Sequence, residues 1–445
     1  MAINERFRPQ YHFTPPQNWM NDPNGLVQWR GRYHLYYQHN PGAAVWGDMH
    51  WGHAASSDLV YWKHLPIAIA PDEEYDRSGV YSGIAVPRED EVLFFYTGVN
   101  GEHELPCLAT ASDEMLLQPT KSDRNPLFHP PSDLELLFFR DHAIVEYEGS
   151  WYQVIGSGIR DNGGNCLLYK SDDLVTWEYM HPLVDPAHIA HELPEITGWE
   201  CPDFFRLGDT WVLVVSHWNH DPICVWAYTG TFDGNQFVPV HGEPVDGGAS
   251  FYAPQSFSDE SGRRIQIGWL RETRPEAHHA ADGWAGAMTL PRHLFIREDG
   301  TLGARPVEDV MNRLTFRDVA TSDGEVVVGS IDPTSCVLRM PASQDFELEL
   351  LRSTDGEEIT SIIVSNGKLR IDTTRSSLNA EIPGEFVNAP VAGEILIFVD
   401  RSVIEVFADG HAHAVRVYPE RDDAIGIRFR GGGVQISEFS GVHRG

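Results

Sequence analysis

Lysine is almost absent from this 445-residue chain: only Lys63, Lys121, Lys170 and Lys368 occur, so 29 of the 33 cationic side chains are arginine. Positive charge is scarce altogether. Against 65 Asp and Glu residues it leaves a formal charge of −32, and a polyanion repels nucleic acid and anionic membrane surfaces, which speaks against both as partners. Cysteine is scarce too. Cys107, Cys166, Cys201, Cys224 and Cys336 are widely spread, odd in number and without a CxxC pair, so neither structural zinc nor a disulfide framework is supported. A reduced, cytoplasmic interior fits better. No run approaches the roughly 18 consecutive apolar residues of a membrane span, and the opening MAINERFRPQ lacks the apolar segment of a secretory signal. The lysine shortage has two readings, genome base composition or a salt-rich cytoplasm that screens an acidic surface.

Apolar residues at 42% and aromatics at 11% are enough for sizeable cores. They fall in short segments bounded by Gly, Pro, Asn and Asp, such as Tyr33 to Gln38, Val92 to Tyr96, Trp211 to Ser216 and Arg264 to Leu270. Such lengths and turn signals read as strands, and helical periodicity is nearly missing. The chain is all-β. A weak repeat adds organisation: Asp58-Leu59-Val60-Tyr61-Trp62 recurs as Asp173-Leu174-Val175-Thr176-Trp177, and Asp113, Asp233 and Asp299 continue the series at similar intervals. Each interval has room for about four short strands, the content of one propeller blade. Five markers predict a five-bladed β-propeller over residues 1–305. Pro306, Val307, Val310, Met311 and Leu314 then carry helical spacing, which predicts a linker helix over 306–316. Residues 317–445 alternate strongly, with hairpin turns expected at Asn366-Gly367, Asp400-Arg401 and Asp409-Gly410, and read as a β-sandwich.

Three carboxylates stand out by their surroundings. Asp22 lies in Trp19-Met20-Asn21-Asp22-Pro23-Asn24-Gly25, a stretch of turn formers, with Trp46, Trp51, His50 and His53 soon after. Tryptophans near a carboxylate suit a sugar, whose apolar ring faces stack on aromatics while its hydroxyls meet fixed acceptors. Asp141 follows Arg140 directly after an apolar run. Glu200 sits between Trp199 and Cys201, flanks that tend to desolvate it and raise its pKa, as a general acid near neutral pH requires. Three carboxylates in three different blade intervals can converge on one axis.

These residues belong to a longer series: WMNDPNG at 19–25, YQHNP at 37–41, WGHAxSxDLxxW at 51–62, YSG at 81–83, FRD at 139–141, WECPDFF at 199–205, SFYAPQxF at 250–257 and EVFADG at 405–410. In this order they closely resemble glycoside hydrolase family 32, the β-fructofuranosidases. The resemblance implies a five-bladed propeller with a C-terminal sandwich, and a retaining hydrolase of terminal β-D-fructofuranosyl units in sucrose and short fructo-oligosaccharides. It implies Asp22 as nucleophile, Glu200 as general acid/base and Asp141 as transition-state stabiliser beside Arg140, with Asn21, Gln38, Trp46, Ser82 and Trp269 in the sugar pocket. Such chemistry needs a small saccharide and no cofactor or metal; the sequence sets no oligomeric state. A fructosyltransferase of the same fold, an inactive fructan-binding protein and a glycosidase for arabinofuranosides remain as alternatives.

The chain departs from the family pattern where His142 replaces the proline of Arg-Asp-Pro, and where Tyr81 and Ile84 flank Ser82-Gly83. His142 is either a tolerated replacement or a group that tunes the leaving-group side. The HxxH pairs His50/His53, His188/His191 and His217/His220 invite a metal, but residues three apart on a strand point to opposite faces.

Overall fold

The computed structural model describes residues 3–101, 103–185, 188, 196–322, 325–326 and 329–440. Antiparallel strands dominate, in five successive groups of four. The first holds β1 (Asn18–Trp29), β2 (Arg32–Asn40), β3 (His50–Ser56) and β4 (Trp62–Ile69). The second holds β5 (Gly79–Pro87), β6 (Val92–Asn100), β7 (His103–Ala111) and β8 (Thr120–Lys121). The third holds β9 (Leu136–Tyr147), β10 (Ser150–Ile159), β11 (Gly163–Ser171) and β12 (Glu178–Pro182), and the fourth β13 (Gly198–Leu207), β14 (Thr210–Asn219), β15 (Asp221–Phe232) and β16 (Phe237–Pro244). In the fifth, β17 (Phe251–Ser258) and β18 (Arg264–Leu270) are followed by helix α1 (Glu276–Asp282) and the short β19 (Trp284–Ala285) and β20 (Ala287–Met288). β21 (Arg292–Ile296) and β22 (Leu302–Pro306) complete it.

The leading strand of each group makes the ring. β1 packs on β5, β5 on β9, β9 on β13, β13 on β17, and β17 returns to β1. A closed circuit of five inner strands is a five-bladed propeller. The ring is fastened where β19 pairs in parallel with the free edge of β1, Asn18 opposite Trp284 and Trp19 opposite Ala285.

The aspartate repeat has a physical cause. Asp58, Asp113, Asp173, Asp233 and Asp299 all lie between the third and fourth strands of their blades. Each carboxylate accepts backbone N–H groups a few residues on: Val60 and Tyr61, Met115 and Leu117, Val175 and Thr176, Asn235 and Gln236, and Thr301. This is the Asx turn, in which the side chain stands in for a backbone acceptor. In the two matching DLVxW copies, Leu59 and Leu174 share a left-handed conformation, with φ of 62° and 65°.

The propeller gives way to the sandwich through a single helical turn, α2 (Glu308–Met311). It is shorter than the expected 306–316 because Pro306 still pairs with Arg292 as the last residue of β22. Beyond it a six-stranded and a seven-stranded sheet enclose an aliphatic core of Val, Leu and Ile, in which Phe346 and Phe429 are the buried aromatics. The expected hairpins at Asn366-Gly367 and Asp409-Gly410 are present with positive φ at both residues. The third turn is Arg401-Ser402, one residue later than expected. Asp400 stays in the ladder opposite Val403, and its carboxylate accepts the N–H groups of Gln10, Tyr11 and His12.

That last contact is part of a buried charge network joining the two domains. The His12 ring reaches Asp400 Oδ2 at 2.8 Å and Glu405 Oε1 at 3.0 Å. Glu405 Oε2 meets Arg292 Nη2 at 2.6 Å, and Arg292 Nη1 meets Asp246 Oδ2 at 2.8 Å.

Candidate active site

Every inner strand is irregular near its N-terminal end. The ladder shifts between Met20 and Pro23 on β1, Tyr81 and Gly83 on β5, Arg140 and His142 on β9, Glu200 and Asp203 on β13, and Tyr252 and Gln255 on β17. A β-bulge adds a residue to one strand and re-aims its side chains. Asn21, Asp22, Ser82, Asp141 and Cys201 are among the residues these bulges displace, with Pro202, Ala253 and Pro254, and Glu200 and Tyr252 border them. Asp141, Cys201 and Ala253 take positive φ of 63°, 45° and 46°, strain of the kind that concentrates at functional sites.

Five blades thereby deliver side chains to one place. Ser82 donates to Asp22 Oδ2 at 2.7 Å, and the Cys201 thiol lies 3.5 Å from that oxygen and 3.4 Å from Asp141 Oδ2. Asp141 Oδ2 also accepts the Cys201 N–H at 2.8 Å. Arg140 spans two acids, with Nη1 2.7 Å from Glu104 Oε1 and Nη2 2.6 Å from Glu200 Oε1. From β17, the Tyr252 hydroxyl donates to Glu200 Oε2 at 2.7 Å.

Burial raises the pKa of Asp22, opposed by hydrogen bonds from Ser82 and Asn21 and reinforced by the charge of Glu200. Asp141 is pushed up to about 7, first by burial; Arg140 works against the rise, while Glu200 and Asp22 add to it. Tyr252 is raised well above its ordinary value by burial and by Glu200, so its phenol keeps the proton it donates. The two outer carboxylates are served by unlike partners: Asp22 by a hydroxyl and a thiol, Glu200 by a guanidinium and a phenol. Unlike surroundings are what let two carboxyls take different roles.

The structure brings Asn21, Asp22, Ser82, Arg140, Asp141 and Glu200 into one network. Asn21 accepts the indole N–H of Trp19 at 2.8 Å. Gln38, buried on β2, and Trp269, on β18 opposite Tyr252, each carry a donor nitrogen with no acceptor among the described residues. Trp269 meets the edge of Trp19 at 6.0 Å. Trp46 stands apart on the β2–β3 connection, 58% exposed, its ring 6.2 Å from Tyr81. Residues not singled out from the sequence are Glu104, Thr97 and Tyr252. Only Tyr252 had a signal, its place in SFYAPQxF. The histidine pairs separate: His53 bonds to His34 in the core, whereas His50 bonds to the carbonyl of Asp48. His217 packs between Trp199 and Trp226 while His220 lies against Trp218, and His191 falls outside the described residues.

A carboxylate-lined axis in a propeller that carries a β-sandwich is the build of a glycoside hydrolase. The profile of the glycosyl hydrolases family 32 N-terminal domain matches residues 12–306, and that of the family 32 C terminal matches residues 319–442. The chain belongs to glycosyl hydrolases family 32. It is 34% identical to a sucrose-6-phosphate hydrolase of Escherichia coli, over 94% of this chain and 90% of that protein. A raffinose invertase of the same organism is 37% identical over 68% of this chain and 65% of its own length. Fructan 1-exohydrolase IIa from Cichorium intybus superposes with a TM-score of 0.85 at 26% identity, covering 98% of both chains. The family expected from the motifs is therefore the family found.

Proposed function

We propose that this chain is a retaining β-fructofuranosidase that releases the terminal non-reducing fructosyl unit of sucrose and short fructo-oligosaccharides. Residues 1–305 carry the catalysis, and 317–445 form the sandwich that braces them. Asp22 attacks the anomeric carbon to form a covalent fructosyl-enzyme, while Glu200 protonates the leaving oxygen. Water then enters, Glu200 takes its proton, and fructose leaves with its configuration retained. Asp141 and Arg140 hold the fructosyl hydroxyls through both steps, helped by Asn21, Gln38, Ser82 and Trp269, with Trp46 at the rim. The observation that carries this reading is the unequal support of Asp22 and Glu200 across a buried Asp141. Five free cysteines favour a reducing, cytoplasmic location with an imported sugar as substrate. Among the described residues no helix is long and apolar enough to cross a membrane.

Incubation with sucrose and with 1-kestose tests the reading: free β-fructose should appear first from each, and longer oligomers or no product would refute it. Sucrose-6-phosphate belongs in the same assay because a relative is named for it; faster cleavage of the phosphorylated sugar would move the substrate assignment there. The acid role has its own check. Glu200→Ala should be severe on sucrose and milder on an activated aryl fructoside, with azide partly restoring turnover, because a good leaving group needs no proton. Equal losses on both substrates would remove Glu200 from that role.

A further inference from the structure

Three of the five inner strands share a habit that β5, with Gly83 after Ser82, and β9 do not. Asp22, Cys201 and Ala253 are each followed at the bulge by a proline, Pro23, Pro202 and Pro254, but Asp141 is followed by His142. Proline fixes φ and needs no ladder partner. Histidine supplies neither constraint, and Asp141 must still hold its left-handed φ of 63°.

The imidazole of His142 is buried, 2% exposed, and both ring nitrogens are used. Gln153 Nε2 lies 2.9 Å from Nδ1, and Thr97 Oγ1 lies 3.0 Å from Nε2. Thr97 Oγ1 also accepts the Asp141 N–H at 3.0 Å and donates its own hydrogen to the Ser82 carbonyl at 3.3 Å. With that hydrogen committed, Nε2 carries the ring proton, held between Thr97 and the backbone of Tyr96, and Nδ1 accepts from Gln153. Burial lowers the ring's pKa to about 3, so it stays neutral and keeps this tautomer. One hydroxyl thus ties the backbone of Asp141 to that of Ser82, whose side chain holds Asp22.

We propose that His142 is a positioning residue for the sugar site: braced by Gln153, its imidazole orients the Thr97 hydroxyl that locks Asp141 and Ser82 together, restraining by hydrogen bonds the bulge that a proline restrains elsewhere in the ring. The inference rests on the reading that Asp141 holds the fructosyl unit.

His142→Phe keeps the volume and removes both hydrogen bonds, and Thr97→Val removes the hydroxyl that His142 orients. Each should lower kcat/KM on sucrose about 10- to 100-fold, mostly in kcat, as displacement of a reacting group by a fraction of an ångström does. His142→Gln, whose amide nitrogen can donate to Thr97, should recover activity to within about threefold of wild type. In an Asp141→Asn background, assayed with an activated aryl fructoside, His142→Phe should cost clearly less than it does in wild type, since one of the two residues it positions is already disabled and only the Ser82 arm remains to be disturbed. If His142→Phe fails to fold, Thr97→Val and His142→Gln carry the test. Wild-type activity in Thr97→Val, or a full multiplicative loss in the Asp141→Asn background, overturns the positioning role while leaving the site reading intact. An Asp141→Asn enzyme with wild-type activity would instead remove the site reading, and this proposal with it.

Discussion

The two domains differ in what lies at their centres. The sandwich encloses a cluster of aliphatic side chains between its sheets, and that core gains from every atom removed from water. The propeller's axis holds Asp22, Asp141, Glu200 and Arg140 together, and two of the carboxyls resist ionisation there. Charges kept from water destabilise a fold unless paired. The ring tolerates them because closed sheets surround them and because hydroxyl, thiol and backbone donors partly replace the lost hydration. Both domains bury apolar clusters, but the propeller also gathers carboxyls at its centre in an arrangement that opposes stability.

The largest expected effect lies at the axis and spares the fold. Asp22→Asn should lower kcat by roughly three orders of magnitude or more, with Tm unchanged or higher, since covalent catalysis ends while a buried charge is relieved. A variant retaining a tenth of wild-type turnover would refute the nucleophile. The mirror experiment is in the sandwich. Ile397→Ala should cost about 2–5 kcal/mol on unfolding while kcat/KM of the folded enzyme stays put; a matching loss of activity would show that the sandwich shapes the axis directly.

A third prediction sharpens the comparison through pH. Asp141 keeps its proton up to about pH 7 when folded, whereas the unfolded chain releases it near the ordinary 3.8. Stability therefore falls as pH rises through that window. Asp141→Asn does not titrate, so its Tm should equal wild type near pH 4 and exceed it at pH 8. The shift should be at most about 2–4 °C for each kcal/mol recovered in a chain of this size, and a Tm difference independent of pH would contradict the assignment. The smallest effect is expected at a blade turn: Asp173→Ala removes the acceptor for Val175 and Thr176 and should cost about 1 kcal/mol by denaturant unfolding, without touching kcat.

How much of this was legible depended on where each signal resided. The blade count could be read because one aspartate per blade caps a turn locally, within four residues of itself. That Asp22, Asp141 and Glu200 stand near one another could be anticipated because their flanks are distinctive. The bulges could not: an extra residue in a ladder leaves no compositional mark, and Pro23, Pro202 and Pro254 flag three of them only once the strands are known. Glu104 pairs with Arg140 across 36 residues of sequence, from an ordinary-looking strand. The linker helix was overextended because Pro306 satisfies a helical start as well as a strand's end, and the sheet claimed it. The 400–401 turn slipped because Asp400, a good turn former, is held in the ladder by its bonds to residues 10–12.

The fastening of β1 by β19 also sets a timetable. The strand that bears Asp22 is among the first made, yet the segment that covers its edge ends at Ala285, and the acids that grip His12 lie at 400 and 405. At about 5–20 residues per second on the ribosome, the edge of β1 waits roughly 13–55 s for its partner. Throughout that interval the first residues of the strand, Asn18 and Trp19, lack the ladder partners that close the ring. Synthesis halted before residue 284 leaves the first blade unfastened, so the ring that gathers the acids closes only in a nearly finished chain.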